Sequence, residues 1–158
     1  MSDPVDYRYV STLWAGPDHA GELARLHADL FAEAWDAASF EKLLAHPGAI
    51  ALLARLGTPQ QTAGFVLAQM AADEAEILTI GVRKDRQGHG VGKRLVEALI
   101  RAARKSEIKR LFLEVAPSNT NAVALYKSLG FAQVGVRKDY YKLAGGGAED
   151  ALMLSLAL

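Results

Sequence analysis

Cysteine is absent from all 158 residues, which removes a disulfide framework, a thiolate zinc site and a cysteine nucleophile together. Any group transfer must run without an acyl-cysteine stage. A surplus of one charge is lacking too, since 18 Lys and Arg balance 18 Asp and Glu. Such a chain has no broad positive field for direct nucleic-acid binding, so an anionic ligand has to be met locally. No apolar run approaches the ~20 residues of a membrane span. The polar stretch Met1–Asp6 has no basic region leading into an apolar one, as a secretory leader would. The expectation is a cytoplasmic protein without a membrane partner. The four histidines, His19, His27, His46 and His89, show no metal-ligand spacing, so no metal is expected. His19 and His27 are expected on a helix surface or flanking the core.

What is present has the length of one domain, over residues 1–158, large enough to bury a core unaided. Tyr7–Trp14 alternates loosely and reads as a first strand. Pro17-Asp18 opens a helical pattern with Leu23, Leu26, Leu30 and Phe31 on one face. Asp36 or Ser39 caps a short second helix through Leu44, which Pro47-Gly48 ends. Residues 49–56, 62–71 and 75–82 are apolar runs split by turn residues and read as an antiparallel meander. From Gly90 to about Arg104, Val91, Leu95, Val96, Leu99, Ile100 and Ala103 form one stripe of an amphipathic helix. A buried strand follows at Leu111–Val115. Ser118 or Asn119 then caps a helix through Leu129, Gly130 ends it, and Phe131–Val136 begins another strand. A last strand runs near Ala151–Leu158, after the flexible Gly145-Gly146-Gly147 loop.

Arg86-Gln87-Gly88-His89-Gly90-Val91-Gly92-Lys93 joins a strand to the amphipathic helix. Its glycines let backbone N–H groups point ahead of the helix, where the dipole adds roughly half a positive charge. That is how a neutral chain can hold a pyrophosphate. A Walker loop would need glycine where Gln87 stands and Ser or Thr where Arg94 stands. A dinucleotide fingerprint would need a third glycine at Lys93. It would also open a fold of alternating strands and helices, whereas here helices and a meander come first. A plain glycine-rich turn entering a helix is the simpler alternative.

Gln87-Gly88-His89-Gly90-Val91-Gly92 resembles the Q/R-x-x-G-x-G/A acetyl-CoA motif of the GCN5-related N-acetyltransferase (GNAT) superfamily. The likeness extends through Ala75–Val82 before it. After it come Leu113-Glu114-Val115, Ser118-Asn119, Ala122, Leu125-Tyr126 and Leu129-Gly130-Phe131. These resemble the RimI-like branch, which acetylates the N-terminal alanine of ribosomal protein bS18. Three departures flank the acceptor side: Ala34, where the branch often has proline, and Ala116 and Ala148, where it often has arginine.

The resemblance implies an α/β (α+β) fold, with a mixed sheet of about seven strands, a splayed parallel pair at strands 4 and 5, and about four helices. It implies acetyl-CoA as cosubstrate, with pantetheine in the splay against the backbone of Ile80, Gly81 and Val82. Gln87, Gly88, His89, Gly90, Val91, Gly92 and Lys93 would hold the pyrophosphate, and Asn119 would touch the cofactor from the other side. As a plainer role, Asn119 is a helix cap. Glu114 would be the general base and Tyr126 the general acid toward the departing thiolate. From the residues alone, Glu114 lies in an apolar strand and needs a cleft, a partner or a solvated face. Tyr126 reads as a half-buried aromatic with a wet hydroxyl.

Trp35, Arg137, Tyr140 and Tyr141 resemble residues around the family's peptide groove, and are otherwise packing anchors. Glu149 and Asp150 either meet a cationic N-terminus or are simply solvated. The expected reaction is direct transfer in a ternary complex to a protein N-terminal α-amine, with bS18 as partner. An α-amine of pKa about 7.8 is roughly a quarter neutral near pH 7.4, against ~0.1% for lysine. A free small amine or polyamine is the alternative acceptor. A non-catalytic acyl-CoA-binding protein would keep the glycine loop without needing Glu114 or Tyr126.

Overall fold

Ala49–Leu56 and the run ending at Ala71 are apolar at nearly every position, the pattern of strands covered on both faces. In the computed structural model, which describes residues 5–158, they are β2 (Ala49–Leu56) and β3 (Gln61–Ala71) at the heart of one sheet. Residues 1–4 of the polar stretch read as carrying no leader lie outside the described residues. The other strands are β1 (Ser11–Trp14), β4 (Glu74–Val82), β5 (Arg110–Val115), β6 (Ala132–Lys142) and β7 (Ala148–Ala157). The helices are α1 (Ala20–Leu30), α2 (Ala37–Ala45), α3 (Val91–Lys105) and α4 (Thr120–Ser128). Strand order is β1-β2-β3-β4-β5-β7-β6; β4 and β5 run parallel and the other neighbours antiparallel. The mixed seven-stranded sheet and four helices agree with the expected architecture.

Alternation sends even-numbered β2 residues Ile50, Leu52, Ala54 and Leu56 to one face, where Leu95, Val96 and Leu99 of α3 complete a core. Odd-numbered Ala51 and Leu53, with Phe65 and Leu67 of β3, meet Leu23, Leu26, Phe40 and Leu44 of α1 and α2 on the other. α3 keeps Lys93, Arg94, Arg101, Arg104 and Lys105 in solvent. Asp36 caps α2, accepting from Ser39 N at 2.8 Å, and Asn119 caps α4, accepting from Ala122 N at 3.3 Å. Gly130, at φ 98°, takes the left-handed position that ends α4.

Three expectations are corrected. The strand read over Tyr7–Trp14 begins only at Ser11, because Asp6 accepts from Arg8 N and winds Tyr7–Tyr9 into a 3-10 turn. Phe31 has left the helical face; it is the C-cap, with extended φ and ψ of −122° and 135°. β6 runs on to Lys142 and β7 starts at Ala148, because their ladder crosses an irregularity between Arg137 and Tyr141 where Asp139 sits at φ 53°. A polar bulged edge leaves no alternation in the sequence to read.

Leu99 is fully buried between α3 and the sheet. Leu99→Ala is expected to lower stability by about 2–5 kcal/mol, read as an earlier urea midpoint with an unchanged slope.

Candidate active site

β4 and β5 pair only from Glu74↔Arg110 to Ile77↔Leu113. At the next residue β4 carries a bulge against β3, since Leu67↔Thr79 is followed by Ala68↔Ile77 and Leu78 has no partner. One extra residue inverts side-chain parity. Ala75 and Ile77 therefore face α3 before the bulge, and Ile80 and Val82 face it afterwards. Arg83 N donates to Ala63 O at 2.8 Å. Alternation from that bond turns the N–H and C=O groups of Gly81 and Thr79 to β3, and those of Ile80 and Val82 into the gap beside β5. Val82 O already accepts from Gln87 Nε2 at 2.9 Å. Gly81, expected on the gap with its neighbours, instead packs: a Cβ there would meet Leu30 Cδ1 at 2.7 Å.

The glycine loop closes one end of this gap. Gly88 and Gly90 both take left-handed φ, 79° and 82°, and open space surrounds the position a Cβ would occupy on each. Gly90 is the N-cap of α3 and makes no side-chain cap bond, so the first N–H groups of the helix face the loop without a side-chain partner. Gly92 has a different task, since a Cβ there would touch Leu125 of α4 and Val82 at 3.6 and 3.7 Å. It lets α3 start close to α4 and β4. Lys93 stands exposed on the first turn.

On the face opposite α3, parity brings Glu76 of β4 beside Phe112 of β5, with Glu114 two residues further on. Neither α1 nor α2 covers this part of the sheet. It opens as a groove of about 630 Å³ whose lining includes His46, Gln69, Glu76, Phe112, Glu114 and Arg137. Glu114 is only 16% exposed and is paired with Arg137, whose Nη1 lies 3.2 Å from its Oε1. The Arg137 guanidinium sits over the Tyr140 ring at 4.3 Å. Of the three possibilities for Glu114, the structure combines the cleft with the partner.

Tyr126 is more deeply set than its helical spacing implies. Its side chain is buried against Phe131, the rings edge-on at 5.5 Å. Burial, with a smaller contribution from Tyr141, pushes its hydroxyl up to about 12. Burial likewise pushes Tyr141 up to about 12, helped by Tyr140, Glu114 and Glu149. Tyr126 thus feels Tyr141, and Tyr141 feels Glu114.

In sequence and in fold the chain matches known proteins. The family described as the acetyltransferase (GNAT) family matches residues 7–131. The chain belongs to the GNAT acetyltransferases. The ribosomal protein bS18-alanine N-acetyltransferase of Escherichia coli is 41% identical over 96 residues, covering 61% of this chain and 64% of that protein. The match thus spans slightly under two thirds of that relative's length. The N-alpha-acetyltransferase RimI of Mycobacterium tuberculosis is 39% identical over 133 residues, 82% of each chain. The crystal structure of the ribosomal-protein-S18-alanine N-acetyltransferase from Escherichia coli superposes with a TM-score of 0.86 at 28% identity. That superposition covers 94% of this chain and 93% of that one.

Other polar residues of this GNAT chain have structural partners. Glu149 accepts from Ser118 N and Oγ at 2.8 and 2.9 Å. Asp150 accepts from Lys138 Nζ at 3.1 Å and Asp139 N at 2.9 Å. These carboxylates tie β7 to the start of α4 and to the β6 bulge. Trp35 lines a neighbouring pocket of about 430 Å³ that shares His46 and Gln69 with the groove. Its backbone N–H donates to Nδ1 of His27 at 3.1 Å. His27 is buried, not on the helix surface, and desolvation pulls its pKa down. Among the described residues no three His, Asp or Glu side chains gather as metal ligands, and no helix is long and apolar enough to cross a membrane.

Sequence reasoning missed the Glu114–Arg137 pair and the Glu149 cap, which join residues 23 and 31 positions apart. No local pattern signals either. Because Tyr126 titrates near 10 when exposed and about 12 here, stability is full below pH 10 and falls as pH rises toward 12. Tyr126→Phe is expected to flatten that alkaline decline, measured as urea midpoints between pH 9 and 12 (the range set by these values).

Proposed function

We propose that the chain transfers acetyl from acetyl-CoA to a protein N-terminal α-amine, with the N-terminal alanine of ribosomal protein bS18 as acceptor. The observation that carries this reading is the parting of β4 from β5, with an uncapped helix start on the α3 face and Glu114 in an open groove on the other. The names of the Escherichia coli and Mycobacterium tuberculosis relatives support an N-terminal amine rather than a small amine.

In this reading the N–H groups from Gln87 to Lys93 receive the pyrophosphate. The gap-facing backbone of Ile80 and Val82 holds the pantetheine arm, with Asn119 at the opposite wall. Their fit rests on the splay and on the empty space at Gly88 and Gly90. The acceptor enters from the groove, flanked by Arg137, Tyr140 and Tyr141, with Trp35 further along.

An ammonium has no lone pair, so it must lose a proton before its nitrogen can bond to the acetyl carbon. Glu114 takes that proton, directly or through water. As the C–N bond forms, the C–S bond breaks and negative charge develops on sulfur. The second proton that the new amide nitrogen sheds leaves to water, and the thiolate is reprotonated from water so that CoA departs as the thiol. Tyr126, kept protonated by burial, is suited to donate a hydrogen bond there. Its pKa of about 12 stands above the roughly 8.5 of an ordinary thiol, so complete proton transfer is uphill and the role is stabilisation of the thiolate. Both substrates are held at once, which removes the need for a covalent enzyme intermediate.

Glu114→Gln is expected to slow transfer by about 10²- to 10⁴-fold while CoA binding, followed by calorimetry, stays within about threefold; full activity would remove Glu114 from the base role. The acceptor is tested by acetyl-CoA-dependent thiol release with a bS18-like N-terminal hexapeptide, its N-terminally blocked form and a set of small amines. Turnover of the unblocked peptide alone is the expected outcome. Turnover of small amines alone would transfer the reading to that class, and CoA binding without turnover of any acceptor would favour a non-catalytic role.

A further inference from the structure

The loop that is to receive a pyrophosphate has little to hold its apex. Its ends are fixed by Gln87 Nε2 on Val82 O at 2.9 Å and by Arg94 N on Gly90 O at 3.1 Å. Between them His89 is flanked by Gly88 and Gly90, both left-handed and both surrounded by open space. Glycines on either side add little of their own to fix the His89 backbone. The contact at the apex comes from the start of the described chain: the Tyr7 ring stacks on His89, with centroids 4.1 Å apart and planes 10° from parallel.

Tyr7 is itself anchored. Asp6 caps the 3-10 turn that presents it, accepting from Arg8 N at 3.0 Å, and Tyr9 N closes that turn on Asp6 O at 3.1 Å. Val5, Tyr7 and Val10 pack against the same core as α3. Tyr7 therefore bridges the core and the loop apex, and its neighbours hold the bridge in place. A loop ordered before the ligand arrives loses less conformational freedom on binding than one ordered by it.

We propose that Tyr7 is a positioning residue for the anion-binding loop: its stack on His89 holds Gly88–Gly90 in the conformation that receives the pyrophosphate of CoA. The inference rests on the reading of that loop as the CoA site. It assigns the segment ahead of β1 a part in cofactor affinity, although that segment lies far from the loop in sequence. The work is done by the ring face, so the phenol oxygen is dispensable. It acts on phosphate binding only, so a donor without phosphates does not sense it.

The test is CoA binding by calorimetry, with steady-state kinetics on acetyl-CoA and on S-acetylpantetheine, which lacks the pyrophosphate. Tyr7→Ala is expected to weaken CoA by about three- to tenfold, the worth of one aromatic stack. KM for acetyl-CoA should rise to match, with kcat and the kinetics on S-acetylpantetheine unchanged. Tyr7→Phe should stay within about twofold of the parent. His89→Ala removes the same stack from the exposed side, which keeps the test open if Tyr7→Ala fails to fold. The double variant should be no weaker than His89→Ala, because both changes remove one interaction. CoA affinity unchanged in both single variants, additive losses in the double variant, or an equal loss on S-acetylpantetheine would overturn the role of Tyr7 while leaving the loop as the CoA site. Failure of the unaltered protein to bind CoA would overturn the loop reading and this inference with it.

Discussion

The unpaired residue Leu78 is the constraint on which the site depends. Parallel strands joined by a helix ordinarily stay paired along their length. Here the bulge against β3 turns β4 away from β5 after Ile77↔Leu113. Two consequences follow from that single residue. The backbone groups of Ile80 and Val82 lose the neighbour that would have satisfied them, and buried polar backbone without a partner is unfavourable. The same inversion of parity turns the Ile80 and Val82 side chains onto α3, where they are partly buried against the core. The strand is thus left with a free polar edge and an intact apolar face, the combination needed to take up an extended polar ligand arm.

Each half of the site is built on a different support. The glycine loop depends on α3, whose fully buried Leu95, Val96 and Leu99 fix where its first turn begins. The groove depends on the far half of the sheet, where β7 lies between β5 and β6 and places Arg137 beside Glu114. The ion pair is asymmetric: Glu114 is mostly enclosed, while Arg137 is 57% exposed and stacked on Tyr140. An exposed guanidinium is held loosely in water. Under the proposed reading, the carboxylate keeps its place when an acceptor arrives and the arginine is the partner free to move.

Legibility in the sequence followed the physical origin of each feature. α3 could be read because its burial is periodic, and β2 and β3 because both faces are apolar. The anion loop could be read because only glycine sits easily at φ 79° and 82°. Glu114 stood out as a carboxylate in an apolar strand. Its partner did not, because an ion pair between strands leaves no trace at either position until the strand order is known. The true extent of β6 was hidden by its polar, bulged edge. Gly81 was assigned to the gap with its neighbours, whereas strand pairing turns its backbone to β3 and its bare Cα to Leu30. The position of a bulge decides that, and bulges have no composition of their own. Tyr7 offered no signal either, since its partner is a loop residue far from it in sequence.

The neutral charge balance and the missing cysteine converge on the same chemistry. A chain with 18 cationic and 18 anionic side chains has no long-range field with which to collect a polyanion, and in the proposed reading affinity comes from oriented backbone N–H groups at short range. Such groups work only when aimed, which explains why so much of the core is devoted to fixing the start of α3. Without a thiol to accept the acyl group, transfer through a covalent cysteine intermediate is closed. Under the proposed reading the two substrates meet directly, one from each face of the sheet. Only a sheet that parts locally allows that contact while its remaining pairs hold both supports in register, and in this chain the parting begins at Leu78.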